Sequence, residues 1–331
     1  MKPSELKASL KYAYDERLPV FVWGAPGIGK SDVVRQVATD LGIELIDKRL
    51  SQSDPTEMKG FPWADQKSGT MKFFRDDQLP TKGKGILFLD ELNNAPQAVQ
   101  APAYQLILDR RLGSYELPPG WTVVAAGNRA QDRAITHAMS SALKNRFTHL
   151  DMEPDLEDWM QWAMAHDISH LTRGYLRWRQ ANFCVDKITP EMRAFPTPRA
   201  WVKVDRIMNN PSLSEAICHE LIKGTVGEGV GLEYFGFART EASLPDFDEI
   251  LAKPTTVKVP TEPSVQYAVM ARMEGITSAK NVDKIMAFAT RLPQEFTAML
   301  VKSFCTRDPK LTETPTIVKW LLQNHSVLAQ A

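Results

Sequence analysis

Residues 20–31 read Val20-Phe21-Val22-Trp23-Gly24-Ala25-Pro26-Gly27-Ile28-Gly29-Lys30-Ser31, and this stretch decides the fold. Four apolar residues stopped by a glycine have the length and composition of a buried strand. Gly24 to Ser31 then completes a GxxxxGK[ST] pattern, and Val33, Val34, Val37, Ala38 and Leu41 follow at helical spacing with Gly42 as the stop. Strand, glycine-rich turn and helix in that order are what a phosphate-binding loop requires. Glycines let the backbone fold tightly enough to aim successive N–H groups at phosphate oxygens. The helix start adds the positive end of its dipole. The Lys30 ammonium would bridge β- and γ-phosphates, and the Ser31 hydroxyl would ligate Mg2+. The plain alternative is a structural turn with an incidental lysine, and the flanking strand and helix weigh against it.

Outward from the loop, the chain alternates short apolar runs with amphipathic segments. A helix is expected over 4–17 with Ser4 as its N-cap, and a second strand over 43–46. From 52 to 84 the pattern loosens into Gly, Pro, Lys and Asp around a strand at 71–74, which predicts an inserted loop or hairpin. Ile86-Leu87-Phe88-Leu89 is a third strand, 96–112 a helix with Pro102 near its start, and 122–126 a fourth strand. Such alternation predicts an α/β fold with a parallel sheet covered by helices on both faces. Beyond Leu150 only helices are expected, over 155–183, 199–208, 214–224, 264–274, 280–289 and 294–305. Pro245, Pro254, Pro260 and Pro263 mark 243–264 as a linker or extended crossing.

The third strand ends in Asp90-Glu91. An acid at the carboxyl end of a parallel strand near a phosphate loop can reach the bound metal, so Asp90 is the candidate Mg2+ holder, through water. Glu91 would polarise an attacking water as general base.

Composition narrows the choice of function. The 331 residues include 40 Lys+Arg and 40 Asp+Glu, so the formal net charge is zero, and 43% are hydrophobic. That excludes a wholly disordered chain and argues against one built around a basic nucleic-acid surface. Neutrality also leaves self-association unopposed. Cys184, Cys218 and Cys305 are odd in number and far apart, which predicts buried thiols rather than a disulfide framework or a zinc site. With no apolar run like a signal peptide's core at the start and none of about 18 residues elsewhere, a cytoplasmic chain outside the membrane is expected.

Taken in order, the motifs resemble those of the AAA+ ATPases, and within them the MoxR-like branch that includes the CbbQ-type activators, among the dynein-related ATPases. The resemblance runs over about residues 18–240. GAPGIGKS looks like Walker A, so Gly24, Ala25, Pro26, Gly27, Ile28, Gly29, Lys30 and Ser31 would hold the nucleotide. ILFLDELNNAP looks like Walker B with its following turn. WTVVAAGN ends on Asn128, where the family has the sensor-1 residue that orients the attacking water. ALKNRF places Arg146 at the arginine finger, supplied in trans to a neighbouring subunit's ATP, and PTPRAW places Arg199 at the sensor-2 position. Spread charge on the γ-phosphoryl oxygens gives such cations a purpose.

The resemblance implies a P-loop AAA+ core over 1–152, an α-helical lid over 153–242, and a Pro-rich linker with a helical C-terminal region over 243–331. It also implies an ATPase with ATP and Mg2+ as ligands, a homo-oligomer (a hexameric ring), and a remodelled protein partner, often one with a von Willebrand factor A domain. Segments 55–80 and 111–120 correspond to insertions that face substrate in this branch. The first carries Phe61, Trp63, Phe73 and Phe74 among Lys59, Lys67, Lys72 and Arg75, which suits either a strand of nucleic acid, a peptide, or a hairpin packed by its own aromatics. A nucleic-acid motor and a non-hydrolysing nucleotide switch are the alternative functions.

Other signals are weaker. His166 and His170 stand at i and i+4 like a zinc-binding pair, but Asp167 follows His166 and no third ligand stands out. Gly224 to Gly231 is rich in glycine without the Lys-Ser/Thr end of a phosphate loop, and reads as a turn between helices. Arg129 and Arg133 read as surface groups.

Overall fold

The computed structural model describes residues 1–54, 56, 58, 60–74, 76–129, 139, 141–185, 187–240 and 244–324. Lys59, Arg75 and Arg133 lie outside the described residues. The chain divides into two compact units, Met1–Asp155 with Lys187–Thr189, and Leu156–Asp186 with Pro190–Ala331.

The first unit runs α1 (Pro3–Asp15), β1 (Val20–Trp23), α2 (Lys30–Leu41), β2 (Glu44–Arg49), β3 (Phe61–Asp65), β4 (Thr70–Phe74), β5 (Lys84–Asp90), α3 (Gln97–Asp109), β6 (Arg111–Leu112), β7 (Tyr115–Glu116), β8 (Gly120–Gly127) and β9 (Thr148–Asp151). Five strands form one sheet in the order β2-β5-β8-β1-β9, every pairing parallel. The expected α/β parallel sheet is therefore present. Its residues alternate between two buried layers, as a sheet covered on both faces requires. Phe21, Leu87, Leu89, Val123 and Ala125 pack with Val99, Ala103, Leu106 and Ile107 of α3. Val20, Val22, Ile86, Phe88 and Val124 take the other face, and α1 and α2 bury Leu6, Leu10, Val33, Val34 and Val37.

The loosened segment is an antiparallel hairpin, with Phe61 opposite Phe74 and Trp63 opposite Lys72. Its aromatics do not pack it shut: Phe61, Trp63, Phe73 and Phe74 are 62%, 57%, 48% and 63% exposed. A second, smaller hairpin pairs Leu112 with Tyr115.

Several expectations need correction. Ser4 does not cap α1: the helix starts at Pro3, which has no N–H to satisfy, and Lys2 N–H donates to the Glu5 carboxylate at 2.9 Å. Strand β9 was not expected at all; Thr148, His149 and Asp151 are exposed at the sheet's edge and give no apolar run. The helix expected over 155–183 breaks into Leu156–Ala165 and His170–Trp178. Asp167 takes a left-handed φ of 56° between them, and the Ser169 hydroxyl caps the second by accepting from Thr172 N–H. His166 and His170 thus belong to different elements rather than one helix face.

Among its described residues the second unit has helices joined by turns and loops, and no strand. One buried cluster gathers Trp159, Tyr175, Trp201, Tyr234 and Phe237, with Tyr175 and Tyr234 edge to face at 5.2 Å. Gly227, at φ 92°, makes the turn between helices Glu215–Val226 and Glu228–Arg239. A second cluster spans Phe247 to Trp320 and includes helices Phe247–Ala252 and Pro315–Gln323, which the prolines and the short apolar runs had hidden. Helix Pro263–Ile276 joins the two, sending Ala268 into the first and Val265, Val269 and Met273 into the second. Across that join, the carboxylate of Glu274 meets Arg173 at 2.8 Å and Arg177 at 2.9 Å, all three buried.

Candidate functional site

Parallel strands bring their carboxyl ends to one side of the sheet, and three adjacent strands there carry the sequence-predicted residues. The phosphate loop follows β1, Asp90 and Glu91 end β5, and Asn128 follows β8, which lies between the other two. Gly24 N–H donates to the Gly127 carbonyl at 3.3 Å, fixing the start of the loop to the end of β8.

Gly29 stands just ahead of α2 at φ 101°, a conformation that favours glycine, and no side chain caps the helix start. The start of α2, with the positive end of its dipole, thus faces the loop. Lys30 is buried, and its ammonium donates to the Gly24 and Ala25 carbonyls at 2.7 and 3.0 Å and to Asn128 Oδ1 at 3.0 Å. The Ser31 hydroxyl donates to Asp90 Oδ2 at 2.8 Å. One hydroxyl and one buried carboxylate in contact are the hard oxygen donors that Mg2+ takes alongside substrate phosphates and water. Both residues fit that ion. Burial first, and the nearby Asp90 charge second, push the Asp47 carboxyl on β2 above its ordinary value.

Glu91 is held unusually. Its backbone is left-handed at φ 56°, its N–H donates to Asp90 Oδ1 at 2.9 Å, and its carboxylate accepts from the Ser51 hydroxyl. A non-glycine residue in that region stores strain of the kind found at functional sites. Asn93 is buried in the following turn, and its side-chain amide donates to the Asn128 carbonyl at 2.7 Å. A Cβ on Gly127 would stand 2.1 Å from Asn93 Oδ1, so only glycine permits this approach. Ser51 and Asn93 are the site residues that sequence reading missed. Asn93 was in view, three residues after Asp90; Ser51 becomes visible only once β2 is known to pair with β5, Arg49 against Asp90.

Arg146 is not in this cluster. It precedes β9, which runs parallel to β1 with Thr148 opposite Val20 and Asp151 opposite Trp23. The loop leaves the carboxyl end of β1, whereas Arg146 stands off the amino end of β9, five residues before Asp151. At about 3.3 Å per residue that is roughly 16 Å. Arg199 belongs to the second unit, exposed in the first turn of helix Pro198–Met208, whose start Thr197 caps. Arg129 forms an ion pair with Glu153. His166 stacks on Trp162 at 4.3 Å, and among the described residues no group of three or more His, Cys, Asp or Glu could hold a metal. The three cysteines are free thiols, and no described helix is long and apolar enough to cross a membrane.

A parallel sheet with this loop and these strand-end groups defines a P-loop nucleotide-binding domain. Residues 19–147 match the AAA domain of the dynein-related subfamily, so the chain carries an AAA+ domain. It is 31% identical over 118 residues to the ATPase family gene 2 protein homolog B of Homo sapiens, which takes in 33% of this chain and 15% of that protein. The Rattus norvegicus homologue is 30% identical over 123 residues, with 34% and 15% covered. The matched part of the chain thus spans 15% of the length of these relatives. Among solved structures, the RuvB Holliday junction branch migration motor of Thermotoga maritima is similar at 17% identity, with 85% of this chain and 83% of that one covered and a TM-score of 0.40.

Proposed function

We propose that this chain hydrolyses ATP with Mg2+ as one subunit of a MoxR-like ring, a hexamer, and uses the cycle to remodel a protein partner. The observation that carries the reading is the division of polar and charged groups between the two ends of one sheet. Lys30, Ser31, Asp90, Glu91 and Asn128 stand together at the carboxyl end, and Arg146 stands at the amino end of the edge strand.

In this reading the loop amides, α2 and Lys30 hold the phosphates, Lys30 exchanging its bonds to the Gly24 and Ala25 carbonyls for phosphate oxygens. Ser31, and Asp90 through water, would hold Mg2+, which would supply positive charge beside the phosphates. Glu91 takes the proton of the attacking water, and Asn128 orients that water. Arg146 serves the nucleotide of a neighbouring chain, and Arg199 serves the nucleotide of its own. The partner is a protein carrying a von Willebrand factor A domain or a target recruited by one.

The test is phosphate release from Mg·ATP, with nucleotide binding measured separately. Glu91→Gln should bind ATP and turn over at least about 100-fold more slowly, and Arg146→Ala should lose roughly 10³-fold or more while still binding. Undiminished turnover in Glu91→Gln would remove the hydrolysis reading. Undiminished turnover in Arg146→Ala would remove the ring.

A further inference from the structure

A side-chain network centred on His149 borders the segment that carries Arg146. His149, on β9, faces two partners: the Trp23 indole nitrogen lies 2.9 Å from Nδ1, and the Lys144 carbonyl lies 2.7 Å from Nε2. An indole N–H can only donate, so Nδ1 accepts; the imidazole hydrogen therefore sits on Nε2 and is donated to Lys144. Lys144 ends the short helix Ser141–Lys144, two residues before Arg146. On the other side of Arg146, Phe147 packs edge-on against Phe21 at 5.4 Å. The segment carrying Arg146 is thus attached to β1 on both sides, through Phe147 to Phe21 and through His149 to Trp23. A shallow, open surface hollow lined by Trp23, Ser141, Lys144, Asn145 and His149 lies on the Lys144 side. Leu143 anchors the short helix in the core at 0% exposure, and at the open side next to it the Lys144 carbonyl is held by the His149 hydrogen bond.

We propose that His149 is the positioning residue for Arg146. Its Nε2–H holds the Lys144 carbonyl, while Trp23, the last residue before the phosphate loop, fixes the imidazole in the tautomer that can donate. The inference rests on the reading of Arg146 as a cation supplied to a neighbouring chain's nucleotide. A guanidinium displaced by about 1 Å from a transferring phosphoryl group loses on the order of 100-fold in rate. The nucleotide-holding residues belong to the other chain and are untouched.

The experiment uses the full-length chain and Mg·ATP. His149→Leu should lower kcat by about 10- to 100-fold with KM for ATP within about twofold. His149→Gln, whose amide can still reach the Lys144 carbonyl, should recover most of that loss. His149→Asn, whose carbonyl can still accept from Trp23 but whose amide, one methylene shorter, falls short of the Lys144 carbonyl, should not. Mixing supplies the readout a collapsed fold cannot imitate. Lys30→Ala subunits lack a working loop but carry a well-placed Arg146, so adding them to His149→Leu subunits should restore turnover, as it should for Arg146→Ala. Wild-type kcat in His149→Leu, beside an inactive Arg146→Ala, would overturn the proposal and leave the ring reading standing. Full activity in Arg146→Ala would overturn that reading instead. If Lys30→Ala rescues Arg146→Ala but not His149→Leu, the histidine's effect is structural and the proposal fails.

Discussion

Replacing Glu274 by Gln should unfold the helical unit at a markedly lower temperature. Glu274 is fully buried and carries the only carboxylate in contact with the Arg173 and Arg177 guanidiniums among the described residues, at 2.8 and 2.9 Å. Arg173 also donates to the Ile168 carbonyl at 3.1 Å, and burial pulls its pKa below the ordinary arginine value despite the glutamate's charge. At an effective dielectric of about 20, each charge contact is worth roughly 4 kcal/mol gross, most of which desolvation offsets while the cluster is intact. Glutamine keeps the shape but removes the charge, stranding two like charges one helical turn apart with no buried counter-ion. Breaking such a cluster costs about 3–5 kcal/mol. For a unit of this size about 2–4 °C is lost per kcal/mol, so 4 kcal/mol lowers Tm by roughly 8–16 °C. Thermal melting followed by circular dichroism at the helical wavelength measures it, because the regular structure described in this unit is all helix. A fall of less than about 3 °C would refute the reasoning. The triple variant Arg173→Met, Arg177→Met, Glu274→Met should melt close to the wild type, since apolar replacement of a whole buried cluster is often neutral or stabilising. If it melts as low as Glu274→Gln, packing rather than stranded charge explains the loss.

Two further predictions concern the nucleotide-binding unit. Gly127→Ala would place a methyl 2.1 Å from Asn93 Oδ1 and 2.7 Å from Phe21 Cζ; it should cost about 1–3 kcal/mol and depress turnover by dislodging Asn93 from the Asn128 carbonyl, and an unchanged Tm with unchanged phosphate release would count against this. Asp76 is paired with Lys48, which is buried; burial raises the Asp76 pKa, but the Lys48 hydrogen bond, the Gln78 N–H, the Lys48 charge and a hydrogen bond with Asp77 together outweigh it and hold the carboxyl below its ordinary value. A depressed carboxylate pKa adds stability above the unfolded value of about 3.9 that is lost as pH falls through the lower folded value. Asp76→Asn should therefore be less stable than wild type by about 1.5–3 kcal/mol at pH 7, with the gap closing below about pH 4, and urea titrations that give a pH-independent gap would exclude the charge pair as its cause.

What the sequence made legible was whatever local chemistry decides. The loop from Gly24 to Ser31 announces itself because its glycines, lysine and serine are contiguous, and α2 follows from five apolar residues on one face. The polar edge strand β9 has no such signature: Thr148, His149 and Asp151 face outward, and only pairing with β1 makes them a strand. The break at Asp167 was hidden because apolar spacing runs through it; a left-handed aspartate and the Ser169 cap, rather than a proline or glycine, end one helix and start the next. The contacts of Ser51 with Glu91 and of Asn93 with Asn128 depend on which strands are neighbours. Chain order does not give that, since β1 pairs with β8 and β9 and not with β2.

Strand order also sets where each charge can act. In an all-parallel sheet every strand's carboxyl end lies on the same side, so residues just after β1, β5 and β8 meet without any special arrangement of loops. A residue just before a strand is committed to the opposite side. Arg146 precedes β9, the edge strand, and β9 has only β1 as a neighbour. The Arg146 backbone is therefore separated from its own phosphate loop by the height of the sheet, roughly 16 Å, and no rotamer of a side chain about 7 Å long crosses that distance. Moving it there would require unpairing β9 from β1, which would also release Phe147 from Phe21. If Arg146 serves a triphosphate at all, the triphosphate is bound by another chain. On the proposed reading, a single chain would hold a nucleotide with Lys30, Ser31, Asp90, Glu91 and Asn128 and lack that cation. Turnover per chain should accordingly rise with protein concentration until assembly is complete, whereas a rate independent of concentration down to the monomer would mean that Arg146 contributes nothing to hydrolysis.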